Sequence, residues 1–141
     1  MSVLWTKLIK LYSHMFVIID NTGDDTISFV AYLNKKFVQK IFTVNRNQDL
    51  LVCLDQWLQS VGQSVKDVAG IGVVVGVGKF TSTRLAVTLA NTLAFSLHIP
   101  VVTLEKEYDQ EKAVHLIQSA QPGIYAMPVY SAAPHLYGQN Q

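Results

Sequence analysis

Between Gly70 and Leu104 the sequence runs GIGVVVGVGKFTSTRLAVTLANTLAFSLHIPVVTL, and this stretch limits the fold more than any other. Ile71 to Val75 is a continuous β-branched run, as expected of a strand covered on both faces. Phe80 to Leu97 then carries apolar residues at helical spacing. After the His98-Ile99-Pro100 turn, Ile99 to Leu104 reads as a second buried strand. Strand, helix and strand within about 35 residues make a parallel unit with a right-handed crossover.

The turn inside this unit has the look of a phosphate loop. A Walker loop needs G-x-x-x-x-G-K followed by Ser or Thr, because that hydroxyl ligates magnesium. Gly78 and Lys79 are in place, but Val73 stands where the earlier glycine belongs and Phe80 where the hydroxyl belongs. The dinucleotide pattern G-x-G-x-x-G also fails, since Gly76 and Gly78 are followed by Thr81 in the third position. The favoured reading is a tight strand-to-helix turn, with Thr81 or Ser82 as capping candidates. Amides at the helix start can still meet an anion, which makes Asp20, Thr22, Gly76, Gly78, Thr81 and Arg84 the candidate set for such a site.

Upstream, Phe16 to Ile19 is a short apolar run ending in Asp20 and followed by the turn-forming NTGDD. Thr26 to Leu33 and Lys36 to Val44 are β-branched and aromatic, separated only by Asn34-Lys35, so a hairpin is predicted. Asn47 or Asp49 can cap a helix that runs to about Val61 and stops at Gly62. Downstream, Tyr108 to Ala120 has helical spacing, Pro122-Gly123 breaks it, and Ile124 to Tyr130 reads as one more strand before a turn-rich tail. Three meander strands, helix, strand, helix and strand fit an α/β domain with a mixed five-stranded sheet of order 3-2-1-4-5 and flanking helices. This is the ribonuclease H-like, or actin-like ATPase, half-domain arrangement. Residues 15–120 form the predicted domain. Residues 1–14 are an extension whose Leu4, Leu8 and Leu11 recur at helical spacing, and residues 121–141 are a tail.

Several function classes drop out on composition. With 141 residues there is room for one well-packed domain, and a formal net charge of +1 argues against nucleic-acid binding as the main role. Cys53 is the single cysteine, so there is no disulfide framework or cysteine-based zinc site, and a reducing, cytoplasmic setting is expected. No run reaches the about 20 apolar residues of a membrane span. Two-metal nuclease chemistry needs carboxylates converging from the first strand, first helix and fourth strand. Asp20 suits the first position and Asp49 and Asp55 are the acids of the first helix, but the fourth strand carries none. Nothing picks out a nucleophilic triad, so no catalytic residue, cofactor or metal is expected.

What remains is apolar surface. Ala86, Ala90 and Ala94 recur every four residues beside Thr83, Val87 and Asn91, while Leu85, Leu89, Leu93 and Leu97 take another flank. The expectation is that the leucines fill the sheet-facing core and the small residues admit a partner helix. Leu50, Cys53 and Trp57 likewise widen the stripe of the first helix. The predicted partner interface is therefore Leu50, Cys53, Trp57, Thr83, Val87, Ala90, Asn91 and Ala94.

Three segments together resemble the bacterial TsaB family, also called YeaZ: MFVIIDNT from Met15, VAGIGVVVGVGKFTSTRLA from Val68, and LAFSLHIPVV from Leu93. The family pattern is a first strand ending Asp-Thr-Ser-Thr, a GPGSFTGLR turn and a LAxxLxIPVV strand entry. Here Val77 and Lys79 replace its proline and serine, Ser82 its second helix-start glycine, and Asn21 interrupts the Asp-Thr pair. The resemblance covers Met15 to Leu104. The segment from Ala126 to Tyr137 is similar to the start of the family's second domain, with Ser131 at its acidic position, so the sequence is expected to be shortened to the first domain, either as a one-domain relative or as a fragment. The resemblance implies an actin-like fold and a non-catalytic subunit supporting threonylcarbamoyladenosine modification of tRNA. Its partners would be a TsaD-like catalytic subunit and a TsaE-like ATPase, with a homodimer when alone and tRNA met only indirectly. The alternative is a residual nucleotide-binding or hydrolytic protein using Asp20, Thr22 and the Gly76–Thr81 turn.

Overall fold

The computed structural model describes residues 15–43, 49–78 and 80–127. The extension 1–14, Val44, the capping candidate Asn47, Lys79 and everything after Met127 lie outside them. The sheet has five strands in the order β3-β2-β1-β4-β5. These are β1 (Met15–Asp20), β2 (Thr26–Leu33), β3 (Lys36–Thr43), β4 (Val68–Val74) and β5 (Val101–Leu104). Strand β1 is central, antiparallel to β2 and parallel to β4, and β5 continues the parallel half. The predicted order is therefore the observed one.

Local chemistry explains the connections. Asn34 and Lys35 both take positive φ, 53° and 63°, as a two-residue hairpin turn requires where the strands twist to the right. Helix α1 (Leu50–Ser60) is capped by Asp49, whose carboxylate accepts from the amides of Leu51 and Val52. A short 3-10 turn, Val65–Asp67, leads into β4 and is closed by Ser64 and Asp67 in a capping box. Helix α2 (Phe80–Leu97) spans the predicted residues and ends on His98, in left-handed conformation at φ 55°, with the Ile99 amide donating to Ala94. Because α2 begins at Phe80, Thr81 and Ser82 lie inside its first turn and do not cap it. Helix α3 (Gln110–Ser119) is capped by Asp109. Ile124–Met127 is not strand, since the backbone of Ala126 bonds the Asn91 side chain of α2 in place of a strand neighbour, and the rest of the predicted strand, to Tyr130, lies outside the described residues.

Both faces of the sheet are covered. Met15, Val17 and Ile19 of β1 point into the cluster under α1 and α2, with Phe29, Ile71, Val73, Leu54 and Leu58. Phe29 stacks on Trp57 at 5.7 Å and meets Phe42 edge-on at 5.9 Å. Phe16 and Ile18 point the other way, into a smaller cluster with Val30, Val74, Leu104 and Ile117 under α3. Helix α3 sits close on β4 because Gly70 and Gly72 share that face. A Cβ on Gly70 would stand 2.4 Å from Ile117, and one on Gly72 2.7 Å from Leu104.

The packing of α2 only partly follows the expected one. Leu93 is buried in the core and Leu89 and Leu97 pack against it, but the small-residue row, expected to face a partner, is buried as well and Leu85 faces out. Thr83, Ala86, Val87, Ala90 and Ala94 are buried on the sheet, whereas Leu85 is 56% and Phe95 67% exposed. Small residues let the helix axis settle onto the pleated surface, with Leu93 filling the space beside them. A helix apolar on both flanks has no periodicity that tells one side from the other. Cys53 and Trp57 of α1 are likewise buried in the chain's own core, and Leu50 is half-buried.

Candidate functional site

Parallel strands β1, β4 and β5 all end at the same edge, and open α/β sheets place ligand crevices outside such carboxyl ends. Here the edge is organised by Asp20, the buried last residue of β1. One of its oxygens accepts from the Thr22 amide at 2.9 Å and from the Thr22 hydroxyl at 2.5 Å. The other accepts from Lys106 Nζ at 2.6 Å. Lys106 stands in the turn after β5, so its side chain crosses the end of β4 to reach β1. Burial, and then the negative charge of Asp20, push the Tyr108 phenol above its ordinary pKa.

The glycine turn from Gly76 to Gly78 is packed against this corner. Gly76 and Gly78 take φ of 91° and 88°. A Cβ on Gly78 would come within 2.8 Å of the backbone of Thr22, whereas one on Gly76 would meet nothing within 4 Å. Asn21, where the family pattern has threonine, donates from Nδ2 to the Ser82 carbonyl at 3.0 Å. Buried Thr83 donates to the Val77 carbonyl at 3.3 Å. The close fit to Thr22 and the positive φ account for these glycines. Of the candidate anion set, Asp20, Thr22 and Gly78 come together, while Thr81 and Arg84 are solvent-exposed on α2. Among the described residues no three His, Cys, Asp or Glu side chains cluster as metal ligands.

A second feature lies between the N-terminal half of α1 and the outer side of α2. A groove of about 510 Å³ is lined by Ile27, Leu50, Leu51, Leu85, Leu89 and Thr88 among others, with Asn21 and Asp49 at its polar margin. Leu51 and Val52 are 42% and 48% exposed beside it, and Leu85 and Phe95 extend the apolar surface along α2. Of the residues predicted as a partner interface, Leu50 alone lines this groove. Thr83, Val87, Ala90, Ala94, Cys53 and Trp57 lie beneath it in the core. Asn91 is engaged by the chain itself: its amide donates to the Ala126 carbonyl at 3.0 Å and its oxygen accepts from the Ala126 amide at 2.8 Å. Beyond that clamp, Tyr125 lies against Phe95 with ring centroids 6.5 Å apart. Burial, and then Asp49, raise the Cys53 thiol, which makes it a core residue in its chemistry too.

Sequence reasoning missed Lys106, Leu51, Val52 and the outward role of Leu85 and Phe95. For Lys106 a signal existed: a cation just past a parallel strand lies on the same sheet edge as an acid ending the first strand. Among the described residues no helix is long and apolar enough to cross a membrane.

The TsaD family model, described as tRNA N6-adenosine threonylcarbamoyltransferase, matches residues 40–124, more than half of the chain. Solved structures with the same fold include YeaZ from Pseudomonas aeruginosa and an uncharacterized protein with similarity to peptidase YeaZ from Pseudomonas aeruginosa. Each is 23% identical with a TM-score of 0.59, over 65% of this chain and 43% of the other. The chain thus spans less than half the length of these structures. No curated protein matches it significantly.

Proposed function

Because this chain belongs to the TsaD family, we propose that it serves threonylcarbamoyladenosine modification of tRNA as a non-catalytic docking subunit. It engages a TsaD-like catalytic subunit, in an assembly that a TsaE-like ATPase joins, or pairs with a second copy when alone. The observation that carries this reading is the apolar band on the outer sides of α1 and α2. Leu51 and Leu85, 42% and 56% exposed, line the groove, and Val52 and Phe95, 48% and 67% exposed, lie on the same two helices. Full burial of one such side chain contributes about 1.5–3 kcal/mol, so completing four half-exposed ones yields several kcal/mol toward association. An apolar groove of this kind, lined also by polar Asn21 and Asp49, has the composition of an interface centre.

The non-catalytic part of the reading is supported by the state of Asp20. Both of its oxygens are engaged by Thr22 and Lys106, so the buried acid of this edge is already neutralised from within the chain. The test is a charge on the band: Leu85→Glu and Phe95→Glu, each assayed for co-purification with the TsaD-like subunit of the same cell. Loss of the complex with an unchanged melting temperature is expected. Retention of full binding by both variants overturns the docking surface.

A further inference from the structure

The actin-like fold implies a nucleotide and magnesium at the carboxyl ends of β1 and β4, and the residues at that edge do not fit them. A magnesium ion held beside a nucleotide takes carboxylate oxygens with open coordination. Here the buried acid is Asp20, and a lysine ammonium already sits 2.6 Å from the oxygen that Thr22 leaves free. A phosphate would need space between the β1–β2 turn and the glycine turn. There the two turns touch, since Thr22 would lie 2.8 Å from a Cβ on Gly78 and Asn21 bonds the Ser82 carbonyl.

The reach of Lys106 makes the arrangement specific. Strand β5 lies two strands from β1, about 9.5 Å in the sheet, and the ion pair joins residues 86 apart in sequence. Lys106 keeps 44% of its side chain exposed while Asp20 keeps 9%, so a cation tethered at the surface meets a buried acid. An acid buried this far needs a counter-charge or its burial is costly. A divalent ion approaching Asp20 would have to displace the ammonium against like-charge repulsion.

We propose that Lys106 is a tethered counter-ion occupying, from within the chain, the position a divalent cation would take beside Asp20, so that this edge of the sheet is closed to magnesium and to nucleotide phosphates. The strap also fastens the β5–α3 turn to the end of β1. This proposal does not depend on the docking reading, because it concerns the sheet edge and not the outer side of α1 and α2.

The experiment compares melting temperatures of the full chain and its variants with and without millimolar magnesium chloride or MgATP. The natural chain is expected to show no shift with either. Lys106→Met is expected to melt roughly 3 °C lower or more and to regain much of that loss with magnesium. Lys106→Arg is expected to keep the natural melting temperature, and Asp20→Asn combined with Lys106→Met is expected to ignore magnesium. The proposal is overturned if magnesium or MgATP stabilises the natural chain, if Lys106→Met melts like it, or if magnesium fails to restore that variant.

Discussion

Substituting alanine at Gly76 and at Gly78 separates two physical costs that act at the same turn. Both glycines sit near φ 90°, so any L-residue there meets the same backbone strain, about 1–3 kcal/mol. Only Gly78 carries a second cost. Its new methyl would press on the Cα, Cβ and carbonyl oxygen of Thr22, all at 2.8 Å, and Thr22 is held by two hydrogen bonds to Asp20. Overpacking against backbone that cannot yield adds about 1–3 kcal/mol. Gly78→Ala should therefore be less stable than Gly76→Ala by at least ~1 kcal/mol, or about 3–5 °C for a domain of this size. Urea unfolding with an unchanged slope measures the difference directly. Equal losses in the two variants would show that the turn does not lean on Thr22, and the account of both glycines would fall with it.

Other consequences can be checked on the same protein. Ala90→Asp places a charge at a fully buried position on the sheet and should cost several kcal/mol, enough to unfold a marginal domain, whereas Leu85→Asp should stay within about 0.5 kcal/mol. Circular dichroism melts distinguish them, and the opposite ranking would contradict the burial of Ala90 and the exposure of Leu85. Asn91→Ala removes both hydrogen bonds to Ala126 and should cost about 1–2 kcal/mol, seen as faster amide exchange at Tyr125 and Ala126 with α2 still protected. Cys53 should react with a thiol reagent far more slowly in the native chain than in denaturant, given its burial and raised pKa. Tyr108 should ionise later in the folded chain than in the unfolded one when followed by ultraviolet titration. A raised folded pKa leaves stability intact below the unfolded value, about 10, and withdraws it as pH climbs through the folded one. A phenol titrating identically in both states would contradict its burial beside Asp20.

The chain's local signals were readable because their causes are local. Asp49 caps its helix through bonds to amides two and three residues on. Asn34-Lys35 fits a two-residue hairpin, and Gly62 takes the positive φ that ends α1. From such elements the strand order follows, since short connections and right-handed crossovers leave few alternatives. In the predicted strand Ile124–Tyr130, the described part, Ile124–Met127, misled for the same reason: its composition suits a strand, but at Ala126 the chain meets Asn91 of α2, and side-chain bonds replace a sheet ladder.

Two decisions belonged to the tertiary structure alone. One is how α2 divides its apolar residues, because alanine and leucine rows share a period and only the packed sheet buries the alanines with Leu93 while leaving Leu85 outside. The other is how Asp20 is neutralised. The acid could be seen at the end of its strand, but its counter-charge comes from Lys106, across an intervening strand and 86 residues away. Elements follow from forces acting over a few residues along the chain. Faces and charge partners follow from forces acting across space, and those exist only once the sheet has brought its edges together.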